Sequence, residues 1–318
     1  MNFRSPRVRE IPYTPDAALR FEQLVGGHWP VLLDSCRHRV PYGRYDIMAA
    51  DPFIRVTATG DEIAIERGHG PDATREQVRG DPLEVLREVL AAFPGQGTGL
   101  PFSGGAIGYF AYELGQGIER LPDSGKPRVG VPDLAVGIYD WAIVQDHDAG
   151  QAFLVEGGHD PEPVGLPPDA LPSTVTPAAF GPRFAVTAKV ERQIDYPTYR
   201  DAIARILAYI RDGDCYQVNY TQQFLAPATG DPWDGFLRLR SLNPAPYAAY
   251  LGYPFGAVLS SSPEQFLKVT AGEVSTRPIK GTRARSGDVA EDRWLAESLI
   301  ASEKDRAENV MIVDLLRN

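Results

Sequence analysis

An antiparallel sheet with amphipathic helices laid against it is the arrangement that this 318-residue sequence predicts, and three stretches predict it. In "FIRVTATGDEIAIERG", residues 53 to 68, the Gly60-Asp61 pair interrupts two β-rich runs in the manner of a hairpin. "DPLEVLREVLAAF", residues 81 to 93, carries Leu83, Val85, Leu86, Val89 and Leu90 at helical spacing behind Asp81 as a cap, so this helix is expected to cover one sheet face. "DYPTYRDAIARILAYIRDG" is entered at Asp195 to Pro197, places Ile203, Ile206, Leu207 and Ile210 on one face, and closes at Gly213.

The remaining elements follow in chain order. "WPVLLDS", from residue 29, is a short apolar run of strand type. The glycines at 104, 105, 108 and 115 in "FSGGAIGYFAYELG" fit neither the P-loop nor the dinucleotide fingerprint, so they read as sites of close backbone packing. Residues 156 to 183 are dense in Pro and Gly with no period of 2 or 3.6. This marks a linker at 156–185 between an N-terminal region, 1–155, and a second region, 186–318. After the helix at 195, "CYQVNYTQQF", "YAAYLGY" and "AVLSSS" read as strands, and "EDRWLAESLIASEKDRAENVMIVDLLRN" is helical. Neither a glycine cap nor a polar tail follows Leu315-Leu316-Arg317-Asn318, so the chain is expected to stop inside a fold, with Val310, Met311 and Leu315 lacking partners.

Composition narrows the function. A 43% hydrophobic, 23% charged chain is that of an ordinary globular protein. A net charge of −10, with arginines interspersed among acids, argues against nucleic-acid binding and favours a small-molecule partner. No window reaches the roughly 18 apolar residues of a membrane span, and the start lacks a signal-type apolar stretch, so a cytoplasmic location is expected. Cys36 and Cys215 stand without metal-ligand spacing and read as reduced, buried thiols. All five histidines precede residue 160, so chemistry in the second region must use Lys, Glu, Asp or Tyr. "LSSSPE" lacks a nucleophile elbow and a neighbouring base, which disfavours a serine hydrolase.

The candidate of interest is Lys280 in "STRPIKGTRAR", residues 275 to 285. A lysine amine is almost wholly protonated at neutral pH, and burial or flanking cations such as Arg277 and Arg283 favour the neutral, nucleophilic form. A solvated strand-end lysine has the same local composition. Glu264 and Glu308 are likewise either solvent-facing or catalytic, and Lys304 offers Glu308 an i,i+4 ion pair.

Six segments taken together, "GGAIGYFAYEL", "GDCYQVNYTQQF", "NPAPYAAYL", "SSSPEQF", "RPIKGT" and "EKDRAENVMIVDLLRN", resemble the chorismate-utilising enzymes in content and order, from about residue 10 to residue 318. Anthranilate, isochorismate and salicylate synthases of that family typically have a small residue where this chain has Lys280, and "PIKGT" resembles the aminodeoxychorismate synthase component I branch. The resemblance implies an α+β fold of two large, mostly antiparallel sheets packed face to face with helices outside, as in anthranilate synthase component I, with 186–318 forming the first part of the chorismate-binding catalytic domain and its C-terminal part missing. It implies Mg²⁺-dependent amination of chorismate at C4, with ammonia from a glutamine amidotransferase subunit, to give 4-amino-4-deoxychorismate for 4-aminobenzoate and folate synthesis.

In that reading Lys280 is the nucleophile, Glu264 the general acid, Gly281 and Thr282 lie against substrate, and Glu308 is one Mg²⁺ ligand, the second lying beyond residue 318. Ser35, Tyr42, Arg44, Pro246 and Tyr247 match the family's tryptophan effector pocket. The alternatives are anthranilate synthase component I and a non-catalytic truncated module that binds tryptophan or the glutaminase.

Overall fold

The computed structural model describes residues 4–36, 43–93, 95, 97–119, 121, 130–163 and 182–317, which form two compact units. The first unit takes residues 1–183 and 231–262, and the second takes 184–230 and 263–318. The units therefore interleave along the chain. A boundary drawn in sequence order does not separate them, because 231–262 contributes two strands to the sheet of the first unit.

The first unit contains two antiparallel sheets. One has seven strands in the order β1 (Arg7–Ile11), β10 (Gln151–Glu156), β9 (Trp141–Asp146), β3 (Tyr45–Ala49), β2 (Val31–Asp34), β15 (Tyr247–Tyr253) and β16 (Gly256–Ser262). The other has five, in the order β6 (Thr74–Arg79), β5 (Glu62–Arg67), β4 (Ile54–Thr59), β8 (Leu134–Tyr139) and β7 (Gly105–Phe110). The period-2 pleat sorts the side chains. Val31, Ala49, Ala142 and Leu251 of the larger sheet cluster with Ile107 and Tyr139 of the smaller one, so the sheets pack face to face. The alternate residues Leu32, Met48, Ile143 and Tyr250 meet α1 (Ala17–Phe21) and α4 (Pro232–Leu242) on the outer face. On the far face of the five-stranded sheet, Val56, Ile63, Leu134 and Val136 bury Leu86 and Val89 of α2 (Pro82–Ala91). This is the α+β arrangement expected.

Local signals acted where the sequence placed them. Asp81 accepts from the Leu83 N–H at 2.8 Å, and the Gly60-Asp61 turn joins β4 to β5 with Thr59 opposite Glu62. Gly108 is a packing glycine, since a Cβ there would lie 2.1 Å from the Ala135 carbonyl oxygen. The serines of "AVLSSS" belong to β16. Both cysteines are half-buried rather than buried, and burial, with Asp34 beside it, pushes the Cys36 thiol up to about 11, which keeps it protonated and inert.

The second unit holds α3 (Tyr196–Asp212), α5 (Val289–Ala301) and α6 (Glu303–Arg317) with three two-stranded ladders. These ladders are β11 (Ala185–Val186) with β14 (Ala228–Thr229), β12 (Glu191–Arg192) with β13 (Phe224–Leu225), and β17 (Gln265–Thr270) with β18 (Glu273–Arg277). Asp195 caps α3 through the Thr198 N–H at 2.9 Å, and Gly213 ends it at φ +84°. "CYQVNYTQQF" departs from expectation: only Phe224 is in a ladder, with Gln223 adding one backbone hydrogen bond from the Gln193 N–H at 3.0 Å, and residues 215–222 pair with no strand among the described residues. No residue of the three helices is fully buried; Val310 and Leu315 are exposed and Met311 half-buried.

Candidate active site and a buried polar cluster

The second unit assembles the candidate active site from one hairpin and two helices. β17 pairs with β18 so that Gln265 lies opposite Arg277. Glu264 therefore stands at the open end of the hairpin from which Pro278 to Thr282 emerge. The expected acid and the segment that carries the expected nucleophile thus leave the hairpin at the same end.

Gly281 decides where the loop goes next. Its φ of +74° is a left-handed conformation that favours glycine, and a Cβ there would lie 2.8 Å from both Asp305 Cγ and Leu299 Cδ1. The loop thus rests on the end of α5 and the first turn of α6. Glu308 lies three residues after Asp305, on the neighbouring turn of the same helix. Lys280 and Glu308 are both half-buried, and neither makes a side-chain hydrogen bond or ion pair among the described residues; the pair expected between Lys304 and Glu308 is not formed. Thr282 is exposed, and its carbonyl accepts from Arg283 Nη1 at 3.0 Å.

One of the two flanking arginines behaves differently from expectation. Arg283 is engaged by Asp305 of α6 at 2.9 Å, so its charge is balanced by that carboxylate. Ser302, and then Arg283, hold the Asp305 carboxyl below the usual carboxylate range, with burial opposing them. Arg285 binds Asp292 through two hydrogen bonds of 2.7 Å and closes the next turn of the loop. Asp305, Leu299 and Thr276, whose hydroxyl oxygen is buried without a partner among the described residues, were not legible as site residues. Their roles depend on tertiary packing.

A divalent cation is partly accommodated. Glu308 offers a free carboxylate, whereas no group of three or more His, Cys, Asp or Glu able to hold a metal occurs among the described residues. One carboxylate fits a Mg²⁺ ion that takes its remaining ligands from water and substrate oxygens.

The expected effector residues gather at one end of three neighbouring strands in the first unit. Ala248 of β15 faces Asp34 of β2, which brings Tyr247 and Pro246 opposite Ser35 and Cys36, and β3 adds Arg44 at its start. Tyr42 lies outside the described residues. The Ser35 hydroxyl donates to Asp46 Oδ1 at 2.7 Å, Asp46 Oδ2 meets His147 Nε2 at 2.5 Å, and the Tyr13 hydroxyl lies 2.7 Å from His147 Nδ1. Asp34 is paired with Arg240, which also reaches Asp16 at 2.9 Å. Burial, and then the Asp46 carboxylate, push Asp34 up, while Arg240 pulls it down. Asp34, Asp46, Arg240, His147 and Tyr13 were missed by the sequence reading; the one available signal was an acid inside the apolar run "VLLD".

Arg44 binds Asp146 at 2.7 Å and its guanidinium lies 4.7 Å from the centre of the Tyr45 ring. Arg44, ahead of the opposing effect of burial, holds the Asp146 carboxyl below its ordinary range. A carboxylate depressed in the folded state adds stability above its unfolded value and loses it as pH falls through the folded one. Denaturation across the acid range is therefore expected to show Asp146→Asn losing less stability than wild type below about pH 4. Parallel acid limbs for the two proteins would contradict the pairing.

Residues 31–318 match the model of the chorismate binding enzyme family. The whole chain is 39% identical to aminodeoxychorismate synthase component 1 of Salmonella typhimurium and 38% identical to that of Escherichia coli, spanning 69% of each relative's length. The crystal structure of anthranilate synthase component I from Streptococcus pneumoniae superimposes with a TM-score of 0.67 at 25% identity, over 88% of this chain and 62% of that one.

Proposed function

The chain belongs to the chorismate-binding enzyme family, and on that premise we propose that it forms the chorismate-aminating part of an aminodeoxychorismate synthase component 1. The full-length protein replaces the C4 hydroxyl of chorismate with an amino group. The observation that carries this reading is Lys280: a half-buried lysine without a side-chain hydrogen bond or ion pair among the described residues, on a loop fixed against α6 by Gly281. A lysine held without a counter-charge suits attack on an electrophilic carbon.

The neutral Lys280 amine attacks C2 of the ring, the ring double bond shifts, and the C4 oxygen departs as water with a proton from Glu264. Ammonia then adds at C4, the double bond shifts back, the Lys280 amine leaves C2, and the new ammonium group returns a proton to the Glu264 carboxylate. Ammonia comes from a glutamine amidotransferase partner. Gly281 and Thr282 lie along the substrate, on a loop that the absent Cβ of Gly281 lets rest against Asp305 and Leu299. Glu308 is one ligand to Mg²⁺, which when bound neutralises substrate carboxylate charge. Tryptophan is the effector that the polar cluster around Ser35, Arg44, Pro246 and Tyr247 would take, with Arg44 held in the cluster by Asp146. No described helix is long and apolar enough to cross a membrane, in keeping with a cytoplasmic enzyme.

Product regiochemistry tests the assignment. Full-length enzyme supplied with chorismate, Mg²⁺ and ammonia is expected to give a product that a lyase converts to 4-aminobenzoate. Anthranilate as the main product would place the chain in the other branch.

A further inference from the structure

A cavity in the first unit, lined by none of the residues of the Ser35 cluster, has the features of a second ligand site. It encloses about 480 Å³ between the end of α2, the end of β5 and the segment after β10. That volume suits a single-ring molecule. Phe53 and Phe93 form its apolar wall, edge to face with centroids 5.2 Å apart, and the Phe93 ring meets the His159 imidazole edge to face at 5.9 Å. An aromatic wall of this kind offers both a ring face and a ring edge.

The polar side of the cavity is lined by Arg4, Arg67, His69 and His159 together with Asp160 and Glu162. His69 Nε2 lies 2.7 Å from Asp160 Oδ2, and His159 Nδ1 lies 3.5 Å from Asp140 Oδ1, so two buried carboxylates hold both imidazoles in place. Asp160 also accepts from the Glu162 N–H at 2.9 Å and is fully engaged, while Glu162 stands exposed at the rim. Arg4 is turned away to the Asp160 and Pro161 carbonyls at 3.4 and 3.3 Å. Arg67 differs from all of these: it lines the cavity, is exposed, and makes no side-chain hydrogen bond or ion pair among the described residues. Its planar fork is matched to a carboxylate. The adjoining cavity that shares His69 is lined by His28, Asp51, Arg55 and Glu66, and there Arg55 is already paired with Glu66 at 3.2 Å, so it offers neither an apolar wall nor a free guanidinium.

From this juxtaposition we infer that the cavity between Phe53 and Arg67 binds a single-ring carboxylate, the ring lying on Phe53 and Phe93 and the carboxylate on Arg67 beside His69. The site is independent of Lys280 and of the Ser35 cluster, and the inference does not rest on the chorismate reading.

Titration of the chain by calorimetry and by histidine-ring NMR tests it, with benzoate, cyclohexanecarboxylate, benzamide and inorganic phosphate as probes. Both carboxylates are expected to bind and to shift the His69 and His159 ring signals. Benzamide, which has the ring without the charge, binds at least about tenfold more weakly. Arg67→Ala lowers benzoate affinity by about tenfold and leaves benzamide unchanged, whereas Arg67→Lys keeps most of the benzoate affinity. Phosphate binding as strong as benzoate would reduce the cavity to a bare anion site, and equal binding of benzamide and benzoate would reduce it to an apolar slot. Either result, an unaltered benzoate affinity in Arg67→Ala, or histidine signals that do not move overturns the inference.

Discussion

Lys280→Ala in the full-length enzyme is expected to lower chorismate amination at saturating ammonia by at least about a thousandfold, because the substitution removes the attacking atom itself. The fold should not respond. Lys280 is half-buried and makes no hydrogen bond or ion pair among the described residues, so truncation leaves no buried partner behind. Lys280→Arg separates a nucleophile from a mere cation. It keeps the positive charge and most of the length, yet a guanidinium does not lose its proton in the working range. The arginine variant is therefore expected to be as inactive as the alanine one, whereas an electrostatic role would let arginine restore much of the rate. Retained amination in both variants would remove the residue from the mechanism.

Trp233→Ala is expected to cost about 3–5 kcal/mol of stability, the largest effect of any single side chain described above. Trp233 is fully buried on α4 and is the centre of an aromatic cluster. Phe21 lies 5.0 Å from it, Tyr250 lies 5.2 Å away edge to face, and Phe236 stacks at 5.4 Å. Removing the indole opens a cavity between α1, α4 and the outer face of the seven-stranded sheet. The indole Nε1 has no hydrogen-bond partner among the described residues, so Trp233→Phe forfeits packing volume alone and is expected to cost no more than about 2 kcal/mol. Denaturant unfolding with an unchanged slope measures both. An alanine variant within about 1 kcal/mol of wild type would mean that α4 is not held by this cluster.

What the sequence discloses depends on the range of the interaction involved. The Asp81 and Asp195 caps, the Gly213 stop and the Gly60-Asp61 turn act within four residues, and each stands where the local pattern places it. The pairing of β2 with β15 joins residues more than two hundred positions apart, and Asp34 with Arg240 likewise; neither leaves a local mark. "CYQVNYTQQF" shows the converse. Its alternation is real, but residues 215–223 find no ladder partner among the described residues and do not form a strand.

The candidate active site divides in the same way. Lys280, Glu264 and Glu308 stand out through the segments that contain them, and Gly281 signals a special backbone position. That Gly281 sets the loop against Leu299 and Asp305, and that Asp305 takes up Arg283, depends on how α5 and α6 pack. Flanking arginines in a sequence count as cations; in the fold one of them is already balanced.

The claim on which the proposed mechanism turns is that Lys280 becomes bonded to the substrate ring. Peptide mass mapping of full-length enzyme incubated with chorismate and Mg²⁺, with ammonia withheld, measures this directly. The expected result is a Lys280 peptide heavier by one chorismate less one water, with the modification discharged when ammonia is added. An unmodified Lys280 peptide, together with undiminished C4 amination by the Lys280→Ala variant, would contradict it.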